Sequence, residues 1–263
     1  MQGNVIPFPS PCQGGVYFIQ LKTVTVWVCG IFSLSLDIST SMLNSSFKML
    51  ATDYDGTIAT RGRIPDKVEK ALLEAKQAGL LIAIVTGRGF DDLLRVCSQI
   101  KIFDLIVAEN GAIIYFPSQD KIEPLANKPS IEFITQLMQN NIPFHQHRIE
   151  TIVRRRFAEK VNVIIEEFKF PLHIIPHQDY ALILPIGINK AKGLEKALLH
   201  LNITNNQVIA VGDAENDLDF FDYCGFKVAV GNAQDEIKAK ADWIASKEEG
   251  EGMVEFIREY LLV

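Results

Sequence analysis

Several features that mark particular classes of protein are scarce in this sequence. Its 263 residues include only four cysteines, which are scattered without a Cys-X-X-Cys pair. This spacing fits neither a zinc site nor a disulfide framework, so it indicates reduced thiols in a cytoplasmic protein. A basic excess is also missing, because the formal charge is −6 at pH 7. Nucleic acid is therefore not an expected partner, since proteins that bind it generally carry a basic surface.

Long hydrophobic runs are missing as well. An apolar stretch at 24–36 covers 13 residues, whereas a helix that crosses a bilayer needs roughly 20. The first 46 residues hold only two charged side chains, Lys22 and Asp37, and lack the basic start and cleavage site of a signal peptide. We interpret 1–46 as a leader, disordered or extraneous, with a membrane-associated segment as the alternative. No membrane partner is expected.

The chain does contain alternating strand and helix patterns. It is 48% hydrophobic and 22% charged, which allows a sizeable core. Continuous apolar runs at 80–85 and 105–108 are typical of strands covered on both faces. A helix that opens at Pro65-Asp66 and ends at the Gly79 cap precedes them. The alternation predicts an α/β fold with a Rossmann-like doubly wound parallel sheet. Further predicted elements are strands at 112–116, 208–212, 226–230 and 243–245 and helices at 90–100, 192–201, 215–223, 233–239 and 252–261.

A different pattern at 117–185 interrupts this alternation, and three prolines mark its start. Short helical and extended segments there predict a small α+β insert. The predicted segments are helices at 130–139 and 155–168 and strands at 144–153, 172–176 and 180–184. We therefore predict a core formed by 47–116 and 186–263, with a small α+β domain at 117–185 inserted between the second and third motifs described below.

Two aspartates, Asp53 and Asp55, follow the first apolar strand, and Gly56 permits a sharp turn after them. In an open parallel sheet, ligands bind in the crevice at the carboxyl ends of the strands. Two carboxylates there suit one to attack and the other to move protons, with a divalent cation between them. The alternative is a turn in which Asp and Gly merely end the strand.

Three more motifs follow at predicted strand or helix ends. Thr86 and Gly87 end the strand at 80–85, where a hydroxyl and backbone N–H groups can hold phosphoryl oxygens. Lys190 opens a helix, although a lone lysine is usually a solvated charge. The acids after the strand at 208–212 form a hard oxygen site of the kind that Mg²⁺ prefers. The alternatives are an ordinary turn for the Thr-Gly pair and a helix N-cap for the acids.

The four motifs together resemble those of the haloacid dehalogenase (HAD) superfamily over about 47–263. In chain order they are D-X-D-G-T, T-G-R, the helix-opening lysine and G-D-X-X-N-D. The insert at 117–185 is similar to the type IIB cap of the Cof-like subfamily. The turn Ala108-Glu109-Asn110-Gly111-Ala112, which leads into the cap in that subfamily, is also similar.

This resemblance implies a Mg²⁺-dependent phosphatase that hydrolyses a small phosphorylated metabolite, a sugar or organic-acid phosphate, through an aspartyl phosphate. It implies that Asp53 is the nucleophile and Asp55 the general acid and base. Thr86, Gly87 and Lys190 would bind the phosphoryl group, and Lys192 competes for the role of Lys190. The implied Mg²⁺ ligands are Asp53, the backbone carbonyl of Asp55, and Asp213, with Asn216 and Asp217 in support.

Polar residues of the insert are candidates for substrate contacts, and we select Arg148, Arg154 and His177. An arginine can pair with a second anionic group of the substrate, whereas the alternative for 154–156 is a solvated helix start. The remaining polar candidates are His145, His147, Arg155, Arg156 and Asp179. A phosphomutase or phosphotransferase on the same fold, and a non-catalytic binding module, are the alternative functions. The sequence indicates neither the individual substrate nor an oligomeric state.

Overall fold

The computed structural model describes residues 46–262 together with the backbone of two earlier strands, β1 (Val24–Val28) and β2 (Phe32–Leu36). These two strands pair antiparallel with each other, with Val24 opposite Leu36. The rest of the predicted leader at 1–46 lies outside the described residues, so its interpretation stays a prediction. Within the part of the chain that is described, no helix is both long and apolar enough to cross a bilayer.

From Met49 onward, strands and helices follow each other closely. The strands are β3 (Met49–Thr52), β4 (Leu81–Val85), β5 (Leu105–Ala108), β6 (Ile113–Phe116), β7 (Lys121–Pro124), β8 (Phe144–Gln146), β9 (Thr151–Arg154), β10 (Leu172–His177), β11 (Tyr180–Pro185), β12 (Val208–Gly212), β13 (Phe226–Ala229) and β14 (Trp243–Ile244). The α-helices are α1 (Asp66–Gln77), α2 (Phe90–Val96), α3 (Ile131–Gln139), α4 (Ala158–Phe168), α5 (Lys190–Leu201), α6 (Leu218–Tyr223), α7 (Asp235–Lys240) and α8 (Glu249–Phe256).

The larger sheet has eight strands in the order β14-β13-β12-β3-β4-β5-β6-β7. The strands from β14 to β5 pair in parallel, and β6 and β7 complete the sheet in antiparallel pairing. Every residue of β3, β5 and β12 is buried, because helices cover both faces of the sheet. Thr52 lies opposite both Ile84 and Val211. The carboxyl ends of β3, β4 and β12 are therefore neighbours.

The smaller sheet is antiparallel, with strand order β10-β11-β9-β8. Helices α3 and α4 pack on it around a separate apolar cluster that includes Phe133, Val161 and Ile183. Ser130 caps α3 by accepting a hydrogen bond from the N–H of Phe133. This unit is the α+β insert, and its fully buried members show that it has its own small core.

Some predicted elements differ from the observed ones. The predicted strand at 144–153 is two strands, β8 and β9, because residues 147–150 form a turn that a buried glutamate outside the insert holds. The strand Lys121–Pro124 was not predicted. It pairs with β6 after a turn at Asp120, whose carboxylate accepts a hydrogen bond from Tyr115. The larger sheet therefore includes residues that the predicted boundary at 117 assigned to the insert.

Helix ends account for the other differences. Helix α2 ends at Val96 and not at 100, because Cys97 leaves the helical conformation. Helix α5 begins at Lys190, two residues before the prediction, because the Asn189 side chain accepts a hydrogen bond from the N–H of Lys192 and caps the helix. Short 3₁₀ turns replace the first residues of the helices predicted at 155 and 215. The last helix begins at Glu249 and passes into a π-turn at Ile257.

Candidate active site

Three polar side chains converge because they follow three neighbouring parallel strands. Asp53 comes directly after β3, Thr86 after β4 and Asp213 after β12. The backbone still follows the sheet at two of these positions: the N–H of Asp53 donates to Val211 O at 2.8 Å, and that of Thr86 to Val107 O at 2.8 Å. Sheet geometry therefore fixes where these side chains point.

A cavity of about 500 Å³ opens above these strand ends. Residues of the larger sheet and its loops form one wall, and residues of the insert form the other. The lining residues include Asp53, Asp55, Thr86, Gly87, Arg88, His147, Ile152, His177, Gln178, Tyr180, Leu182, Asp213 and Asn216. Such a concave site with converging polar groups is the form that small-molecule sites usually take.

Among residues 46–262, Lys190 is the ammonium group that binds the Asp53 carboxylate. Its Nζ lies 2.6 Å from Asp53 Oδ1 and 2.6 Å from Asp217 Oδ1, and its side chain is 1% exposed. Lys192, the sequence-based competitor, instead pairs with Glu195 at 2.7 Å near the surface. Because a buried charge requires its partners, the three charged groups form one interdependent unit.

Asp217 holds Lys190 and the loop after β12 in place. Its Oδ1 binds Lys190, and its Oδ2 accepts hydrogen bonds from the N–H groups of Asp213 at 3.0 Å and Ala214 at 3.1 Å. A Cβ on Gly212 would lie 2.6 Å from Asp217 Oδ2, so glycine is needed there for the close approach. Both carboxylate oxygens of Asp217 are therefore engaged in holding Lys190 and the loop after β12.

The carboxylate of Asp213 also lies close to that of Asp53. Its Oδ1 accepts a hydrogen bond from Thr57 Oγ1 at 3.0 Å. Its Oδ2 would lie 2.7 Å from a Cβ on Gly56. Position 56 also has a φ of +84°, so both the close approach and the backbone conformation require glycine there. The Asp-Gly-Thr segment after β3 is therefore shaped to receive the carboxylate that follows β12.

Crowding of buried charges shifts the pKa values of these groups. Burial raises the pKa of Asp53, and repulsion by Asp217 and Asp213 adds to the rise while Lys190 opposes it. Burial, followed by repulsion from Asp217, raises the pKa of Asp213 to about 6. Burial alone would lower the pKa of Lys190, but attraction by Asp217 and Asp53 outweighs it and raises the pKa. The site thus contains more negative charge than Lys190 balances.

These carboxylates suit a hard divalent cation. Oxygen atoms of Asp53, Asp213 and Asp217 lie within 4.8 Å of one another. Since Asp217 is committed to Lys190 and backbone N–H groups, Asp53 and Asp213 are the better ligands. Carboxylate oxygens are the donors that Mg²⁺ prefers, and the excess negative charge around them favours a cation. The donor set therefore fits Mg²⁺.

Asp55 forms a contact that was not predicted. Its carboxylate accepts two hydrogen bonds from Arg88, at 2.8 Å from Nε and 2.7 Å from Nη2, and Arg88 also pairs with Asp92. The backbone N–H of Arg88 donates to Thr86 Oγ1 at 3.0 Å. The signal in the sequence was the arginine of Thr86-Gly87-Arg88. The bidentate ion pair therefore ties the Asp55 carboxylate to the loop that carries Thr86.

The three selected insert residues occupy different places. His177 lines the cavity, and its buried Nδ1 has no hydrogen-bond partner among the described residues. Arg148 instead pairs with Asp91 of α2 at 2.6 Å, and the guanidinium of Arg154 lies 4.7 Å from the centre of the Tyr180 ring. Burial lowers the pKa of His177. The substrate contacts of all three stay predictions.

A buried polar group behind Thr86 was missed from the sequence. It comprises Glu109, Asn110 and Glu150, each at most 1% exposed. Asn110 Nδ2 donates to Glu150 Oε1 at 2.6 Å, and Asn110 Oδ1 accepts from Asn216 at 3.4 Å. The Ala-Glu-Asn-Gly-Ala turn was the available signal for two of these residues. Glu150 lies in a predicted strand and gave no signal.

Comparison with known proteins relates this chain to phosphatases. The family model for haloacid dehalogenase-like hydrolases matches residues 50–174 and 151–257. A phosphoglycolate phosphatase of Methanothermobacter thermautotrophicus is 30% identical over 223 residues, which cover 81% of this chain and 99% of that protein. A 5-amino-6-(5-phospho-D-ribitylamino)uracil phosphatase of Bacillus subtilis is 28% identical over 82% of this chain and 96% of its own length.

Solved structures show the same fold at lower identity. A Thermoplasma acidophilum protein superimposes with a TM-score of 0.71 at 19% identity, over 82% of this chain and 99% of that one. A sugar phosphatase of HAD subclass IIB superimposes with a TM-score of 0.67 at 19% identity, over 82% of this chain and all of the other. The predicted superfamily, the α/β fold with its α+β insert and the hydrolase class are confirmed. The chain belongs to the haloacid dehalogenase-like hydrolases.

Proposed function

We propose that this protein is a Mg²⁺-dependent phosphatase that hydrolyses a small phosphorylated metabolite, a sugar or organic-acid phosphate, through an aspartyl phosphate. The named relatives are phosphatases of different small phosphate esters, which supports the reaction class more than any one substrate. The buried free thiols of Cys97 and Cys224 support a cytoplasmic location.

One observation carries the proposal. The carboxylate of Asp53 lies at the floor of the cavity, bound to a buried lysine at 2.6 Å and close to Asp213. Attack by a carboxylate on an anionic phosphate is opposed by charge repulsion, and phosphoryl transfer depends mainly on positioning and charge stabilisation. A fixed ammonium group beside the attacking oxygen reduces this repulsion.

In the proposed reaction, Asp53 attacks phosphorus and the ester oxygen leaves with a proton from Asp55. Water then attacks the aspartyl phosphate while Asp55 takes one of its protons, which releases inorganic phosphate and restores Asp53. Thr86 Oγ1, the N–H of Gly87 and Lys190 Nζ would bind the phosphoryl oxygens. Because Asp55 is bound by Arg88 at 2.7 and 2.8 Å, it must exchange this partner for the leaving oxygen.

Asp53 and Asp213, with the backbone carbonyl of Asp55, would hold the Mg²⁺ ion. When bound, such an ion neutralises charge on the phosphoryl group and helps to align it. Asp217 would act indirectly, since both of its oxygens already orient Lys190 and the loop at Asp213. Asn216 would support the same loop through Asn110.

We further propose that the α+β insert acts as a cap that closes the cavity and selects the leaving group. His177, Gln178 and Tyr180 lie on the insert wall of the cavity, opposite Asp53 and Asp55. The polar side chains of this wall suit hydroxylated or carboxylated leaving groups. Closure of such a lid excludes bulk water from the phosphoryl centre.

The test is release of inorganic phosphate from a panel of phosphorylated metabolites, with Mg²⁺ and with EDTA. We expect Mg²⁺-dependent turnover of at least one sugar or organic-acid phosphate without an added acceptor. Turnover only in the presence of a sugar acceptor or a bisphosphate would indicate a phosphotransferase or mutase instead. If no ester is turned over, the proposal is wrong.

A further inference from the structure

The turn between β5 and β6 has an unusual backbone. Glu109, Asn110 and Gly111 all have left-handed φ values, of 51°, 49° and 99°. Glycine adopts this conformation readily and asparagine fairly often, but glutamate does so only where the surroundings hold it. A strained turn of this kind beside a functional site indicates that its geometry is needed.

The Glu109 carboxylate joins this turn to the insert. Glu109 is fully buried, and its Oε2 accepts hydrogen bonds from the N–H groups of Ile149 at 2.8 Å and Glu150 at 3.1 Å. Its Oε1 accepts from the N–H groups of Arg148 at 3.2 Å and Phe90 at 3.3 Å. Four backbone donors therefore meet on one carboxylate, three from the turn between β8 and β9 and one from the start of α2.

The same turn also contacts two segments of the active site. The N–H of Asn110 donates to Thr86 O at 3.0 Å, and that of Glu109 donates to Arg88 O at 3.1 Å. A Cβ on Gly111 would lie 2.0 Å from the carbonyl oxygen of Asn189, the residue before Lys190. The segments that carry Thr86 and Lys190 thus share a rigid neighbour with the insert.

The turn held by Glu109 brings His147 to the cavity. A Cβ on Gly89 would lie 2.2 Å from His147 Cε1, so the imidazole rests directly on the backbone of the loop after Thr86. We propose that Glu109 is a positioning residue for the proposed phosphatase: its carboxylate holds the 147–150 turn against this loop and so places His147 over the leaving-group side of the cavity. This inference rests on the proposed function.

Glu109→Gln tests the carboxylate with little change of shape. In either orientation the amide replaces one acceptor oxygen with an NH₂ group, which would face two backbone N–H donors. Glu150→Gln is the matched control, because Glu150 is also fully buried at this junction. Burial raises the pKa of Glu150 to about 8, and a neutral amide can still accept the hydrogen bond of Asn110.

The first readout is amide hydrogen exchange of a peptide containing 148–150, measured by mass spectrometry without substrate. We expect Glu109→Gln to speed exchange of these amides by at least about tenfold, the effect of losing a buried hydrogen bond. Glu150→Gln should not speed this exchange. This readout does not depend on activity, so it tests the contact even if no substrate is found.

The second readout is steady-state kinetics with p-nitrophenyl phosphate and with the best ester of the metabolite panel. We expect Glu109→Gln to raise KM for the metabolite about tenfold while kcat for p-nitrophenyl phosphate changes by less than about threefold, since uniform binding and not chemistry is affected. Gly89→Ala, whose added Cβ would clash with His147, should give the same pattern and replaces Glu109→Gln if that variant does not fold.

Wild-type exchange at 148–150 in Glu109→Gln, or unchanged KM in both variants, would overturn the inference. An equal loss of kcat and kcat/KM for every substrate would overturn it as well, because it would indicate a general structural role. Failure of the wild type to hydrolyse any ester would instead refute the proposed function, and the exchange result would still stand by itself.

Discussion

The two walls of the cavity are built in different ways. On the sheet wall, Asp53, Lys190 and Asp217 are almost fully buried, and Lys190 lies 2.6 Å from each of the two carboxylates. On the insert wall, His177 reaches the cavity with a buried nitrogen that has no partner among residues 46–262. Polar groups that are saturated by their neighbours are held rigidly, whereas an unsatisfied one gains from a ligand. This contrast supports the proposal that the sheet wall carries out the chemistry and that the insert wall selects the leaving group.

The strongest way to test this division is to remove the nucleophile. We expect Asp53→Asn to lower kcat by about 10⁴-fold or more, because an amide cannot attack phosphorus, while its oxygen can still accept the Lys190 hydrogen bond and preserve the fold. Steady-state phosphate release measures the loss, and circular dichroism checks the fold. Asp66→Asn, at the exposed start of α1, is the control. Near-wild-type turnover of Asp53→Asn would refute the assignment of the nucleophile.

A second prediction for the sheet wall concerns Mg²⁺ binding by Asp213. We expect Asp213→Asn to raise the Mg²⁺ concentration that gives half of the maximal rise in melting temperature by at least about tenfold. The substitution removes a charged ligand from a site in which few carboxylate oxygens are left to bind a cation. The direct readout is the rise in melting temperature with added MgCl₂, which reports binding to the folded state without any turnover. If Asp213→Asn shows the same Mg²⁺-dependent rise as the wild type, Asp213 is not a ligand.

The sheet wall was predictable from the sequence for a physical reason. Short continuous apolar runs such as β5 are typical of buried strands, and parallel strands place their carboxyl ends at one edge of the sheet. The sequence therefore placed Asp53, Thr86 and Asp213 at one edge of the sheet, and the observed strand order makes their three strands neighbours. The position of Lys190 at the start of α5 is local in origin, because the Asn189 cap fixes where that helix begins.

The junction with the insert was not predictable in the same way. The turn at 147–150 is stabilised by Glu109, which lies 38 residues before the turn begins, and no periodicity reveals such a partner. The pairing of Arg148 with Asp91 and the stacking of Arg154 on Tyr180 are equally non-local. Surface arginines in a sequence look alike, whether they face a ligand, an acid or an aromatic ring.

On the insert wall, loss of a side chain should affect binding more than chemistry. We expect His177→Ala to raise KM about tenfold, the effect of one lost hydrogen bond to substrate, with kcat within about threefold. Gln139→Ala is the control, since Gln139 belongs to the same insert but is exposed at the end of α3. KM and kcat are measured with the best ester of the metabolite panel. A large loss of kcat in His177→Ala would place His177 in the chemical step.

The smallest expected effect is on stability, and it concerns the acid at the junction of the two walls. Burial raises the pKa of Glu150 from its usual 4.5 to about 8, so between these values the folded protein holds a proton that the unfolded chain has released. Stability therefore falls as pH rises through this range. Glu150→Gln has no such proton. We expect its free energy of unfolding to exceed that of the wild type by about 1 kcal/mol or more at pH 9, with a smaller difference at pH 5. Urea unfolding at both pH values measures this, and the shift of Asp213 cancels because both proteins retain it. A difference independent of pH would mean that Glu150 is ionised in the folded state.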